Sequence, residues 1–176
     1  MGKPLKFLPY GEEVCEVSTS DDSVLFTGPE LELTMAYLTV KPLAERVEIG
    51  TETLRASPAP PEVVNALQAL CRSDVSSLLL DVKESLLHLG WLVEGSRDVV
   101  RIRKSRRAGV SGFTTIEYEK STRKMTVVTT QKCLADFLKQ IGFEVVESKY
   151  LVEGRRHVST LAEAVEIEER LSQAAC

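Results

Sequence analysis

The residues with the most chemistry to offer form a dense run of cations: Arg101, Arg103, Lys104, Arg106 and Arg107. They cross from a predicted strand into a Gly-containing loop, and Arg155, Arg156 and His157 can add to them. Guanidinium forks take carboxylates or phosphates through paired N–H donors. This set, with Ile102 inside it, is therefore the expected peptide-binding site, suited to an acidic tail or another polyanion. The competing account is a charged strand edge, where such residues only block edge-to-edge pairing. Few aromatics are interleaved, which speaks against base stacking. A net charge of −4 offers no bulk attraction to nucleic acid.

Other constellations are weaker. Glu30 and Glu32, two apart, would share one face of a strand and could hold a divalent cation. The same spacing also suits the solvent side of an amphipathic strand. Glu163, Glu166, Glu168 and Glu169 read as the solvated face of a C-terminal helix. His88 is expected to be a partly buried structural side chain, and His157 an exposed one. No Walker A or GxGxxG sequence is present, and no paired Cys/His spacing suits zinc. No catalytic residue, metal or cofactor is expected. Cys15, Cys71, Cys133 and Cys176 show no CxxC spacing and read as buried free thiols in a reducing compartment. With no signal-peptide block and no apolar run of bilayer length, the expected setting is intracellular, cytoplasmic or nuclear, away from membranes.

These residues must be positioned by a small α+β fold of 176 residues. Residues 1–22 read as an extended arm. Val24–Phe26, the alternating stretch Glu30–Val40, and Val47–Leu54 read as strands. The Pro-rich residues 57–61 mark the best boundary, giving a β-rich extension over 1–57 and a helix–strand domain over 58–176. Past it, Val63, Leu67, Leu70 and Cys71 share a helical face, and a second helix runs from Asp74 to Leu89. Strands follow at Val99–Arg103, Phe113–Tyr118 and Met125–Thr129.

Thr130 is placed to cap a helix carrying Leu134, Phe137, Leu138 and Ile141 on one face. Gly142-Phe143 ends that helix as Gly90-Trp91 ends the earlier one. A strand over Glu144–Val152 and a helix from Thr160, with Glu163 at capping-box spacing, complete the chain. The expected core is Leu67, Leu79, Val82, Leu86, Trp91, Ile116, Leu134, Phe137, Ile141, Phe143 and Leu171.

Two family resemblances give this pattern a functional meaning. Residues 61–174 resemble a PUB domain, through Val64–Cys71, Leu78–Leu89, Ile102-Arg103, Leu134–Phe143, Tyr150–Val152 and Thr160–Leu171. The resemblance implies a non-catalytic adaptor that binds a peptide tail or partner protein, such as the C-terminal tail of a p97-type AAA ATPase. Of the family's groove residues, Ile102-Arg103 carries over. Val93-Glu94 and Asp98-Val99-Val100 stand where the family has Asn-Pro and Lys-Tyr-Arg. A second likeness, through Val100–Arg103, Thr114–Glu119, Gly142-Phe143 and Val165–Glu168, is to the CYTH fold. It implies a subunit of a larger assembly, of the Mediator head type, or a metal-dependent triphosphate-processing enzyme.

Overall fold

Two antiparallel sheets organise residues 15–174, the part of the chain that the computed structural model describes. The fold is α+β, and the chain divides into two compact units, Met1–Val82 and Lys83–Cys176. Most of the expected N-terminal arm lies outside the described residues. Its last part is a strand, β1 (Glu16–Ser20).

In the first unit β1 pairs with β2 (Ser23–Thr27), β2 with β4 (Thr53–Ser57), and β4 with β3 (Arg46–Ile49). The single strand expected over Val47–Leu54 is therefore a hairpin. Its turn is closed by the Gly50 N–H donating to the Thr53 carbonyl at 2.8 Å. Val24, Phe26, Leu54 and Ala56 are fully buried on one face. That face is covered by helices α1 (Glu30–Val40) and α2 (Pro61–Leu70).

Helix α1 corrects the strand expected over the same residues. Leu33, Ala36, Tyr37 and Val40 are buried at i, i+3, i+4 and i+7. Leu33 and Tyr37 fall on one side under both periods, which is why strand alternation fitted equally well. The helix also undoes the Glu30–Glu32 pairing, because two residues apart on a helix is about 200° of rotation. The Pro-rich stretch links β4 to α2 inside this unit rather than separating two domains.

A third helix, α3 (Val75–His88), crosses the division between the units. It ends on Gly90 at φ 98, and α4 (Leu134–Gln140) ends on Gly142 at φ 93. At each end the following aromatic N–H reaches back to the last turn. Trp91 donates to Leu86 at 3.0 Å and Phe143 to Leu138 at 2.9 Å. The glycine N–H donates one residue inward, to Leu87 and to Lys139. This is the Schellman pattern, and its left-handed residue disfavours any side chain with a Cβ. Both aromatics are buried as expected.

The second unit is built on a six-stranded sheet in the order β5-β6-β7-β8-β10-β9. Its strands are β5 (Leu92–Glu94), β6 (Arg101–Ala108), β7 (Gly112–Glu119), β8 (Lys124–Thr129), β9 (Glu144–Glu147) and β10 (Val152–His157). The strand expected over Glu144–Val152 is instead the β9–β10 hairpin, turned where the Ser148 N–H donates to the Leu151 carbonyl. Side chains alternate cleanly. Ile102, Ile116, Tyr118, Met125, Val127 and Val152 are buried on one face, and their neighbours along each strand are half-buried or exposed.

Helix α5 (Leu161–Gln173) serves the buried side. The Glu163 N–H donates to Thr160 Oγ1 at 3.1 Å, and the Ser159 N–H donates to Glu163 Oε1 at 3.1 Å, so the expected cap forms. Thr130 does not cap α4. Its hydroxyl bonds the Phe113 backbone instead.

Phe137 and Ile141 are only half-buried, whereas Leu134 and Leu138 are fully buried. Leu138→Ala is expected to cost about 2–5 kcal/mol. Phe137→Ala is expected to cost less, because part of its surface already meets water. Urea midpoints of the two variants check that order.

Candidate anion-binding groove

Strand β6 carries the run of cations, and its pleat sends them to opposite faces. Arg101, Arg103 and Arg107 stand on the open face. Ile102, Lys104 and Arg106 stand on the face served by α5. The expected binding set is therefore not one surface. Ile102 is fully buried.

On the open face β7 supplies counter-charges in register: Glu119 opposite Arg101, and Glu117 opposite Arg103. Arg101 lies 3.3 Å from Glu117, 3.8 Å from Glu119 and 4.0 Å from Glu94, while Arg103 lies 4.0 Å from Glu117. Two guanidiniums thus share three carboxylates. Such cross-strand pairs stabilise the sheet, and within this set the carboxylates outnumber the guanidiniums. Arg107 is exposed and forms no ion pair among the described residues.

On the covered face Lys104 Nζ lies 3.1 Å from one oxygen of Glu168, and Arg106 lies 3.4 Å from the other. Lys104 also sits 5.8 Å from the centre of the Trp91 ring, within cation–π range. Glu168 is buried, not part of a solvated face. A helix presented as polar by its glutamates hides the one that neutralises two strand cations.

A second basic group lies elsewhere on the same sheet. Arg155 and His157 on β10 face the open side beside Lys124, the first residue of β8, and Arg123 in the β7–β8 turn. With Thr122, Arg156 and Glu144 they line a depression of about 440 Å³. A second hollow of about 470 Å³, lined by Glu144, Val146, Glu153 and Arg155, adjoins it through their shared residues.

Arg155 is held at 2.6 Å by Glu153, and Arg156 at 3.4 Å by Glu163. Arg123 and Lys124 form no ion pair among the described residues. The groove keeps a positive balance after its internal pairs are counted. Strand β7 alone separates Lys124 from Arg101 on β6, roughly 10 Å at ordinary strand spacing, and Glu119 stands between the two in register.

Sequence reasoning placed Arg155, Arg156 and His157 beside the run of cations and missed Arg123 and Lys124, which fall between the strands expected at Phe113–Tyr118 and Met125–Thr129. The available signal was a basic pair at the end of a turn whose strand pairs with another basic segment.

His157 is exposed as expected. His88 is exposed as well, not partly buried. Among the described residues no group of three or more His, Cys, Asp or Glu could hold a metal ion. No helix among them is long and apolar enough to cross a membrane.

The free-thiol expectation is corrected. Cys15 and Cys71 form a disulfide, with Cα atoms 5.4 Å apart, and no described cysteine is free. Packing of α2 against β1 brings the pair together across 56 positions of sequence, a distance no spacing motif reports.

Compared with known protein families, curated proteins and solved structures, the chain matches none.

Proposed function

We propose that the second unit is a non-catalytic interaction module that holds an acidic, extended segment of a partner protein along the groove beside β10. The observation that supports this reading is the charge balance. Arg123, Lys124, Arg155 and His157 converge on open hollows with a net positive surround, whereas Arg101 and Arg103 are neutralised by Glu94, Glu117 and Glu119. The adjoining hollow with Val146 gives such a segment an apolar contact next to its charges.

Assembly through an apolar face of the N-terminal sheet is less favoured, since its own helices cover that face. The Cys15–Cys71 bond suits an oxidising setting better than the reducing cytosol. That counts against a cytosolic tail such as that of a p97-type ATPase, and in favour of acidic segments more generally.

The test is a titration with an acidic peptide, its amide-substituted counterpart and the p97-type tail. Binding of the acidic peptide is expected to weaken as salt rises, because exposed charges are screened beyond about 8 Å at physiological ionic strength. Lys124→Gln should weaken it by up to about fivefold, the value of one exposed pair at roughly 1 kcal/mol. Arg103→Ala should leave it unchanged. Equal binding of the acidic and amide peptides would reject this function.

A further inference from the structure

We infer that the preferred occupant of this groove is a phosphorylated side chain, a phosphoserine or phosphothreonine within an acidic segment of a partner protein. The inference rests on the interaction reading above and assigns its ligand class. A phosphate monoester carries about −1.5 to −2 charges and three acceptor oxygens. A carboxylate carries one charge, the same as Glu153, which already holds Arg155 at 2.6 Å. Exchanging one carboxylate for another at Arg155 gains little. A dianion gains more, because its larger charge can engage Arg155 together with Arg123 and Lys124, which form no ion pair among the described residues, against the single charge of Glu144 in the same lining. Thr122 and His157 add polar groups to the same wall. The depression of about 440 Å³ has no Phe, Tyr or Trp in its lining.

Arg123 supplies a second, independent observation. Its φ is 56, the left-handed region that a long side chain adopts only at a cost. The Val158 N–H donates to the Arg123 carbonyl at 2.8 Å and pins the backbone there. Glycine or asparagine would suit this turn position better. The chain instead spends it on a guanidinium that lines the groove and forms no ion pair among the described residues.

The experiment compares four probes on the full chain by fluorescence anisotropy and competition. They are an acidic peptide with one central serine, the same peptide phosphorylated there, the same peptide with glutamate there, and free O-phosphoserine. The phosphopeptide is expected to bind at least tenfold more tightly than the serine peptide and at least threefold more tightly than the glutamate peptide. O-Phosphoserine should compete only at far higher concentration.

Arg123→Gly and Lys124→Gln should each remove most of the phosphate gain. The melting temperature of Arg123→Gly should not fall, which separates loss of a ligand contact from loss of fold. A phosphopeptide within twofold of the glutamate peptide would overturn the phosphate inference while leaving the acidic-segment reading intact. Free O-phosphoserine competing as well as the phosphopeptide would overturn the partner claim. Failure of every peptide to bind would overturn both.

Discussion

Replacing Cys15 and Cys71 with alanine is expected to destabilise the first unit by roughly 4 kcal/mol. A crosslink spanning 56 positions removes loop-closure freedom from the unfolded chain, and loops between 15 and 100 residues give about 3 to 4.7 kcal/mol on that account. A domain's whole stability is about 5–15 kcal/mol, so the loss is a large share. The bond ties the start of β1 to the end of α2, and with them the sheet to the helix layer that covers it. Hydrogen exchange reads the effect locally. Amides of β2 and β4 should exchange up to about a thousandfold faster, since each 1.4 kcal/mol is tenfold. Unchanged protection in those strands would show that the core of the unit, Phe26, Tyr37 and Leu54 among it, holds without the crosslink.

Glu168→Ala is expected to cost about 3 kcal/mol. Glu168 has 3% of its side-chain surface exposed, and its removal leaves Lys104 and Arg106 facing the apolar side of α5. Breaking a buried pair by deleting one partner costs about 3–5 kcal/mol, because the remaining charge is uncompensated. Lys104 and Arg106 keep 19% and 23% of their side-chain surfaces exposed, which places the expected loss at the lower end. Replacing all three by apolar residues of similar size should cost less than the single change. Urea unfolding followed by the fluorescence of Trp91, which lies beside Lys104, measures both variants. A midpoint unchanged in Glu168→Ala would mean that the two cations reach water freely, and that the helix face is solvated as its glutamates suggest.

Features governed by local rules were legible in the sequence. The Gly90-Trp91 and Gly142-Phe143 endings, the Thr160 cap and the α2 and α3 periodicities each depend on residues within a few positions of one another. Helix α1 was misread because Leu33 and Tyr37 satisfy both periods. The arginines showed the limit more sharply. Sequence counted Arg101, Arg103, Lys104, Arg106 and Arg107 as one cluster, but charge is decided by neighbours across the sheet. Glu117 and Glu119 neutralise one face through the β6–β7 register, and Glu168 neutralises the other from a helix more than sixty residues away. Arg123 and Lys124 looked like turn filler until β10 was laid beside β8. The disulfide is the same kind of long-range fact.

The most direct test of the groove is amide chemical-shift mapping of the isotopically labelled full chain titrated with the acidic peptide. Salt-sensitive shifts should concentrate at Thr122, Arg123 and Lys124 and along Glu153–His157, with Arg101–Arg107 undisturbed. Shifts confined to Arg101–Arg107, or spread through the first unit, would contradict the account.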